Sequence, residues 1–240
     1  MGILENLGKR ISHKATVIQK QQIAEHTFRI SLQLQQAKGL SYTPGEFLRV
    51  LVGADQSVKL TDMIRTYSVW RYDTASQVIE IAACTFSSGS GASWAKRLQN
   101  GDTVHFTGPK GNFVYDESPD YYILIGDISS LAHLYEIHRQ IPPHKKVFSL
   151  IYADHKQDFF TDLDGTSPLT FYNLPANPVQ SLTEQLELIM KQAQGKGMLY
   201  VGGDGRVCVE MRNYMKMHHQ WENRQIKAKP FWMPGKKGLE

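Results

Sequence analysis

The pattern of apolar residues changes near residue 119, and this change restricts the folds that the chain can adopt. Before it lie six short segments rich in Val, Ile, Thr and aromatic residues, separated by Gly, Pro, Asp and Asn. Such segments predict a small barrel or sandwich. After it, apolar runs alternate with helical patterns, which predicts a mainly parallel, doubly wound sheet. We therefore expect two domains, a six-stranded antiparallel β-barrel at 1–116 and an α/β domain at 117–240.

The helices of the second domain are predicted from spacing and capping signals. The segment 129–141 places Leu131, Leu134, Tyr135 and His138 on one helical face, before a Pro-Pro stop. Two further helices are predicted, at 181–195 and at about 206–221. The first of these has a potential capping box, in which Ser181 caps the helix and Glu184 reaches back to it.

Composition excludes several classes of protein. Two cysteines, Cys84 and Cys208, are too few for an Fe–S cluster of its own, which takes about four thiolates, and we expect two buried thiols. A net charge of +4 is well short of a nucleic-acid-binding arm. Adjacent His218 and His219 point apart on a helix, so we expect no protein-bound metal. No run approaches the roughly 20 apolar residues of a membrane span, and the first residues lack a signal-peptide pattern, so a cytoplasmic location is expected.

Arg65-Thr66-Tyr67-Ser68 is the first candidate site. On a strand, Arg65 and Tyr67 share one face, and Thr66 and Ser68 share the other. An arginine can hold a pyrophosphate through two parallel hydrogen bonds. A tyrosine ring can stack on a flavin, and a serine can reach the flavin nitrogens. The alternative is an ordinary barrel strand.

A second candidate site lies at 88–94, where small residues precede a helix. Gly91, Ala92 and Ser93 would let the backbone approach a phosphate, and the helix N-terminus would supply N–H groups and a positive dipole end. The alternative is a flexible turn that leads into a helix.

The segments 42–52, 65–70 and 89–113, in this order, resemble the ferredoxin–NADP reductase superfamily. The resemblance implies that the stretch from Arg65 to Ser68, Thr66 included, binds FAD. It places Gly91, Ala92 and Ser93 on the phosphate side. Tyr67 and Ser68 are then the candidate catalytic residues beside the flavin ring.

Three segments of the second domain resemble the siderophore-interacting proteins, a family of ferric-siderophore reductases. Residues 124–142 are similar to the family's Gly-Asp-Glu-Thr-Ala-Leu-Pro stretch, and 200–215 to its Ala-Gly-Glu turn and Arg-x-Tyr-Leu helix. Residues 229–238 are similar to its Tyr-Trp-Arg-x-Gly segment, with Trp232 matching. The chain departs from the family at Met233, where the arginine of that segment is expected.

Two turns of the second domain are candidate contacts for a nicotinamide dinucleotide. Gly126-Asp127 and Gly203-Asp204 follow apolar strands, and the carboxyl ends of parallel strands line the crevice where ligands bind. A carboxylate would repel a phosphate but accept a hydrogen bond from a hydroxyl, so we assign both turns to the nicotinamide and ribose side. Helix N-capping is the alternative role of each aspartate.

Cations and aromatic residues crowd the C-terminus. Arg224, Lys227, Lys229 and Lys236 are candidate substrate-binding residues, and Lys237 lies beside them. They could attract a cofactor phosphate or an anionic iron chelate, and a catecholate would gain cation–π contacts. The alternative is a solvated basic tail.

Together these features predict an FAD-dependent oxidoreductase that uses NADPH or NADH to reduce ferric siderophores and release Fe(II). A flavin can take the two electrons of a nicotinamide and pass them on singly, as ferric iron requires. Two alternatives stay open, a general ferredoxin, flavodoxin or free-flavin reductase, and a non-catalytic flavin- or chelate-binding protein. The sequence gives no indication of the oligomeric state.

Overall fold

The computed structural model describes residues 13–35, 40–52, 63–175 and 177–236. The chain forms two compact units, of which the first ends at Asn112 and the second begins at Phe113. Phe113 is buried, and its ring packs against those of His133 and Tyr200 at 4.6 and 5.6 Å between centroids. These contacts explain why the second unit begins a few residues before the predicted boundary at 117.

The first unit is a closed antiparallel barrel, as the alternating segments predict. Its strands neighbour one another in the order β1-β2-β5-β4-β3-β6. Their apolar side chains alternate inward, and the short helix α1 adds Trp94 and Ala95 to the barrel core. The elements are β1 (His13–Ala24), β2 (Thr27–Leu34), β3 (Phe47–Leu51), β4 (Ile64–Asp73), β5 (Val78–Cys84), α1 (Ser90–Arg97) and β6 (Thr103–Lys110).

The second unit is a five-stranded parallel sheet in the order β11-β10-β7-β8-β9. The strand order reverses between β7 and β10, so the carboxyl ends of these two strands define the switch point where such sheets bind ligands. The elements are β7 (Tyr121–Asp127), α2 (Ile128–Gln140), β8 (Lys146–Ala153), β9 (Phe171–Asn173), α3 (Val179–Met190), β10 (Gly197–Asp204), α4 (Gly205–His218) and β11 (Ile226–Trp232).

The capping box predicted for α3 is wrong, and the C-terminus forms a strand that was not predicted. Helix α3 begins at Val179 with Pro178 at its N-cap, so Ser181 lies inside the helix and forms no capping box. Instead, Glu184 accepts a hydrogen bond of 3.1 Å from the side-chain amide of Gln180. The C-terminal segment, for which a solvated basic tail was the alternative to a ligand-binding role, contributes β11, which pairs in parallel with β10. A mixed sequence of cations and aromatics lacks the apolar run of a buried strand, and edge pairing does not need one.

Helix α4 is shorter than predicted and α2 is more deeply buried. Helix α4 ends at His218, and Trp221 lies beyond it. In α2, buried residues extend over all sides and include His133 and Glu136. Among the helices in the described ranges, none combines the length and hydropathy that crossing a bilayer requires.

His133 predicts a pH dependence of stability. Burial lowers the pKa of His133 to about 3, although one ring nitrogen, Nε2, bonds the carbonyl oxygen of Phe113 at 2.8 Å. In the unfolded chain the pKa is about 6.5, so between these values the unfolded state binds more protons. The contribution of His133 is therefore fully present above about pH 6.5 and is lost as the pH falls, by at most about 1.4 kcal/mol per unit.

Urea denaturation from pH 7 to pH 4 measures this effect against His133→Gln. The glutamine amide can still donate to the Phe113 carbonyl but does not titrate. We expect the free energy of unfolding of the variant to fall less steeply with acid than that of the unaltered protein. Equal slopes would contradict the assignment.

Candidate functional site

The barrel brings the two candidate flavin motifs into contact. The Tyr67 hydroxyl donates a hydrogen bond of 3.2 Å to the Gly91 carbonyl, and the Tyr67 ring lies 5.3 Å from that of Trp94. A Cβ atom on Gly91 would stand 3.0 Å from the Tyr67 hydroxyl oxygen and 3.1 Å from Cγ of Arg65. The contact of Arg65, Tyr67 and Gly91, which we call the barrel motif contact, therefore depends on glycine.

The start of α1 has the features of a phosphate-binding helix terminus. Gly89 is the N-cap and offers no side-chain hydrogen bond, and the first turn carries no acidic residue. Ala92 is buried against the barrel, and the amide of Ser93 donates to the Gly89 carbonyl at 3.0 Å. A helix start without a side-chain cap, beside an arginine, suits an anionic group.

A neighbouring cation on the barrel was missed by sequence reasoning. Arg49 on β3 lies directly opposite Thr66 of β4. Its Nε atom is buried and has no hydrogen-bond partner among the described residues. Since buried polar groups normally have partners, this atom suits an external anion or ligand oxygen. The available signal was its place between Leu48 and Val50, which face the core and turn Arg49 outward.

The tight packing at Gly91 predicts that Gly91→Val weakens FAD binding. The added side chain must displace Arg65 or Tyr67, and overpacking of this kind costs about 1–3 kcal/mol, or about tenfold in affinity. Gly89→Ala is the matched control, because its Cβ would meet only the Ser87 hydroxyl oxygen, at 3.5 Å. Titration of the flavin-free protein with FAD measures both variants. Equal affinities would show that the barrel motif contact is not part of the flavin site.

The strand ends of the second unit pack closely around glycines. A Cβ on Gly126 would lie 2.1 Å from the Ser130 hydroxyl oxygen, which leaves no room for a side chain between β7 and α2. Gly203 has φ of +105°, and a Cβ there would lie 2.4 Å from a carboxyl oxygen of Asp127. The turn after β10 is therefore fitted against the end of β7.

Both aspartates of these turns are N-cap residues, the alternative that their sequence left open. The Asp127 carboxylate accepts from the Ser129 amide at 2.8 Å and caps α2, and Asp204 accepts from the Arg206 amide at 2.9 Å and caps α4. Asp204 also pairs with the Arg206 guanidinium at 2.6 Å. Burial raises the pKa of Asp127. Both carboxylates are buried and engaged within the unit, so the prediction that they contact a ribose is not favoured by their surroundings.

Tyr152 on β8 is a second residue that sequence reasoning missed. It lies opposite Asp127 in the strand register. Its hydroxyl is buried and has no hydrogen-bond partner among the described residues. Burial is the main cause of its raised pKa, and the charges of Asp127 and Asp204 add to it. The strand end therefore holds a protonated hydroxyl that can donate to a ligand or water.

The C-terminal cations do not all face outward. The Lys227 ammonium donates to the Val114 carbonyl at 2.8 Å, and burial lowers its pKa. The Lys229 ammonium is buried and lies 5.7 Å from the centre of the Phe231 ring. Only two of the four predicted residues, Arg224 and Lys236, are exposed, and Arg224 pairs with Glu222 at 2.8 Å. Lys237, which adjoins them in sequence, lies outside the described residues.

Lys227 and Lys229 thus contribute to the packing of the second unit, and their role as substrate ligands stays a prediction. Both lie on β11, a strand that the sequence did not reveal. The cysteine prediction holds in part, since Cys208 is buried and Cys84 only half-buried. Burial raises the pKa of the Cys208 thiol to about 12, so it stays protonated at neutral pH.

Two sequence families match the two units. The family described as oxidoreductase FAD-binding domain matches residues 14–115. The family described as siderophore-interacting protein matches residues 119–235. Together they span nearly all of the described residues.

Named relatives agree with these matches. Ferric vibriobactin reductase ViuB of Vibrio cholerae is 24% identical over 177 residues, which cover 72% of this chain and 65% of ViuB. The match thus spans slightly less than two thirds of that relative.

Two solved structures share the fold. A siderophore utilization protein from T. fusca superposes with a TM-score of 0.77 at 19% identity and covers 95% of each chain. The siderophore-interacting protein SipS from Aeromonas hydrophila superposes with a TM-score of 0.76 at 15% identity, over 94% of this chain and 93% of that chain. At these identities the likeness concerns the fold.

Proposed function

Because the chain belongs to the siderophore-interacting proteins of the ferredoxin–NADP reductase superfamily, we propose that it is an FAD-dependent NAD(P)H oxidoreductase. Its proposed substrates are ferric siderophores, and its proposed location is the cytoplasm. The observation that carries the proposal is the barrel motif contact. There, an arginine, a tyrosine and an uncapped helix start meet at a glycine, where an added Cβ would lie only 3.0–3.1 Å from the side chains of Tyr67 and Arg65. A purely structural strand has no need of this combination.

The barrel residues fit FAD in distinct roles. Arg65 and the backbone of Gly91 and Ala92 would bind the pyrophosphate, because a guanidinium and uncapped helical N–H groups both favour an anion. The Ser93 amide already bonds the Gly89 carbonyl, so Ser93 would contribute its hydroxyl on the phosphate side. Tyr67 would stack on the flavin ring. Ser68 and Thr66, on the opposite face of β4, would bind and orient the ring edge.

The sheet residues fit a nicotinamide dinucleotide. Gly126 and Gly203 let Ser130 and Asp127 pack closely against the ends of β7 and β10, at the switch point where such sheets bind ligands. Tyr152 offers a hydroxyl donor, and Trp232, the last residue of β11, offers a half-buried aromatic face.

Bound FAD would supply the conversion of a two-electron donor to single-electron steps. The overall reaction balances as NAD(P)H and two ferric chelates giving NAD(P)⁺, a proton, two ferrous ions and two iron-free chelators. Arg49 is the proposed contact for the anionic chelate, since its buried Nε lacks an internal partner among the described residues. Arg224 and Lys236, both exposed, are weaker candidates for the same attraction.

A visible spectrum of the purified protein, before and after NADH or NADPH, is the first test. We expect flavin absorbance that either or both nucleotides bleach. Turnover is then followed with a ferrous-iron chelator, with a ferric catecholate and ferric citrate as substrates. Reaction with a ferredoxin, flavodoxin or free flavin but no ferric chelate would replace the substrate assignment. A colourless protein that takes up no added FAD would overturn the function.

A further inference from the structure

The carboxylate of Asp127 is the point at which three strand ends of the second unit are joined. Asp127 is the last residue of β7, Asp204 the last of β10 and Trp232 the last of β11. Residues Asp204 and Trp232 also face each other in the register of β10 and β11. The three residues therefore meet at the carboxyl edge of the sheet, beside the switch point.

Asp127 binds these elements through both oxygens. Oδ1 accepts from the Ser129 amide at 2.8 Å and from the Ser129 hydroxyl at 2.5 Å. Oδ2 accepts from the Asp204 amide at 2.8 Å and from the indole Nε1 of Trp232 at 2.8 Å. One oxygen thus holds α2, and the other holds the turn after β10 together with the indole of β11.

The turn after β10 is shaped around this carboxylate. Gly203 adopts a left-handed φ of +105°, and a Cβ there would collide with the Asp127 carboxyl group. The buried carboxylate has no exposed edge to offer a ligand, whereas Trp232 is only half-buried. A ligand at this edge would meet the indole and the turn, and Asp127 would act through them.

We infer that Asp127 is a positioning residue, which holds the Trp232 indole and the Gly203–Asp204 peptide in the arrangement that accepts a nicotinamide dinucleotide. The inference rests on the proposed function. This role differs from the direct ribose contact expected from sequence, because both oxygens of the Asp127 carboxylate already accept hydrogen bonds from protein donors. A carboxylate that binds several donors fixes their geometry more tightly than separate neutral bonds.

Asp127→Asn and Trp232→Phe test this role. Asparagine keeps the shape but has one acceptor oxygen, so either the Ser129 pair or the Asp204 and Trp232 pair loses its acceptor. Phenylalanine keeps an aromatic ring and removes the indole N–H donor together with part of the ring surface. Binding of NAD⁺ and NADP⁺, which undergo no turnover with the oxidised protein, is measured by calorimetry for each variant and for the double variant.

We expect each single variant to weaken binding about tenfold, and the double variant to be no weaker than about tenfold, because both changes disrupt the same hydrogen-bond network around Asp127. Arg139→Ala is the control, since it destabilises the same unit without touching this network. Unchanged affinity in both folded single variants, or additive losses in the double variant, would overturn the inference. So would a loss in Arg139→Ala that matches theirs. If the unaltered protein binds neither nucleotide, the proposed function itself fails.

If Asp127→Asn does not fold, nucleotide binding by Trp232→Phe alone tests the inference. Phenylalanine keeps an aromatic ring at this position, so a tenfold loss of affinity in a folded Trp232→Phe protein supports the positioning role. Unaltered binding by this variant would contradict it.

Discussion

Replacing Arg65 by alanine is expected to yield a protein that purifies without flavin. Arg65 lies on β4 with its Cγ beside Gly91, at the uncapped start of α1. Two charge-assisted hydrogen bonds to a pyrophosphate contribute about 1.5–3 kcal/mol each, so their loss should weaken FAD binding by about 100-fold or more. Fluorescence titration of the flavin-free protein with FAD gives the affinity directly.

Arg71→Ala is the matched control for Arg65→Ala. Arg71 is an exposed arginine on the same strand and lies outside the barrel motif contact. This variant should keep its yellow colour and its affinity for FAD within about twofold, since exposed substitutions away from a site have small effects. An Arg65→Ala protein that binds FAD as tightly as the Arg71→Ala protein would refute the assignment of the pyrophosphate to Arg65.

The largest expected effect on stability belongs to Arg139. Its guanidinium bonds the carboxylates of Asp162 and Glu136, whose side chains are only 3% and 5% exposed. Arg139→Ala leaves two buried carboxylates without their cation, and breaking a buried pair costs about 3–5 kcal/mol. We expect Arg139→Ala to lower the free energy of unfolding by about 3 kcal/mol, the lower end of this range, because the Arg139 side chain is 28% exposed.

Urea denaturation compares Arg139→Ala with Arg224→Ala. Arg224 also pairs with a carboxylate, Glu222, but those side chains are 73% and 60% exposed. An exposed pair contributes about 0–1 kcal/mol, so Arg224→Ala should be nearly neutral. Adding Glu136→Gln and Asp162→Asn to Arg139→Ala should recover part of the loss. Similar effects of the two single variants would show that burial does not determine the strength of the Arg139 pair.

Much of the barrel and its candidate site could be predicted because the signals are local. Alternation along β3, β4 and β5 follows from the pleat of a strand, whatever the rest of the chain does. The pairing of Arg65 and Tyr67 on one face follows in the same way. Their meeting with Gly91 needed the structure, although the family resemblance placed all three at one cofactor.

The second unit shows where local signals fail. Capping by Ser181 is a valid local pattern, but the helix begins earlier, at Val179, because the packing of α3 on the sheet outweighs one capping interaction. Strand β11 carries cations and a proline, and this pattern is also typical of a solvated tail. It becomes a strand because the exposed edge of β10 supplies its backbone hydrogen bonds.

The sequence by itself determined the two-domain pattern and the family and supplied the candidate flavin motif, since these depend on residue spacing within short segments. The tertiary structure alone decided what Asp127 does, because its partners Asp204 and Trp232 stand 77 and 105 residues away. It also decided that Lys227 serves packing and that Arg49 and Tyr152 carry buried polar atoms without partners among the described residues. The burial and hydrogen bonds of a side chain depend on which distant groups fold against it, and residue spacing within a short segment does not predict those groups.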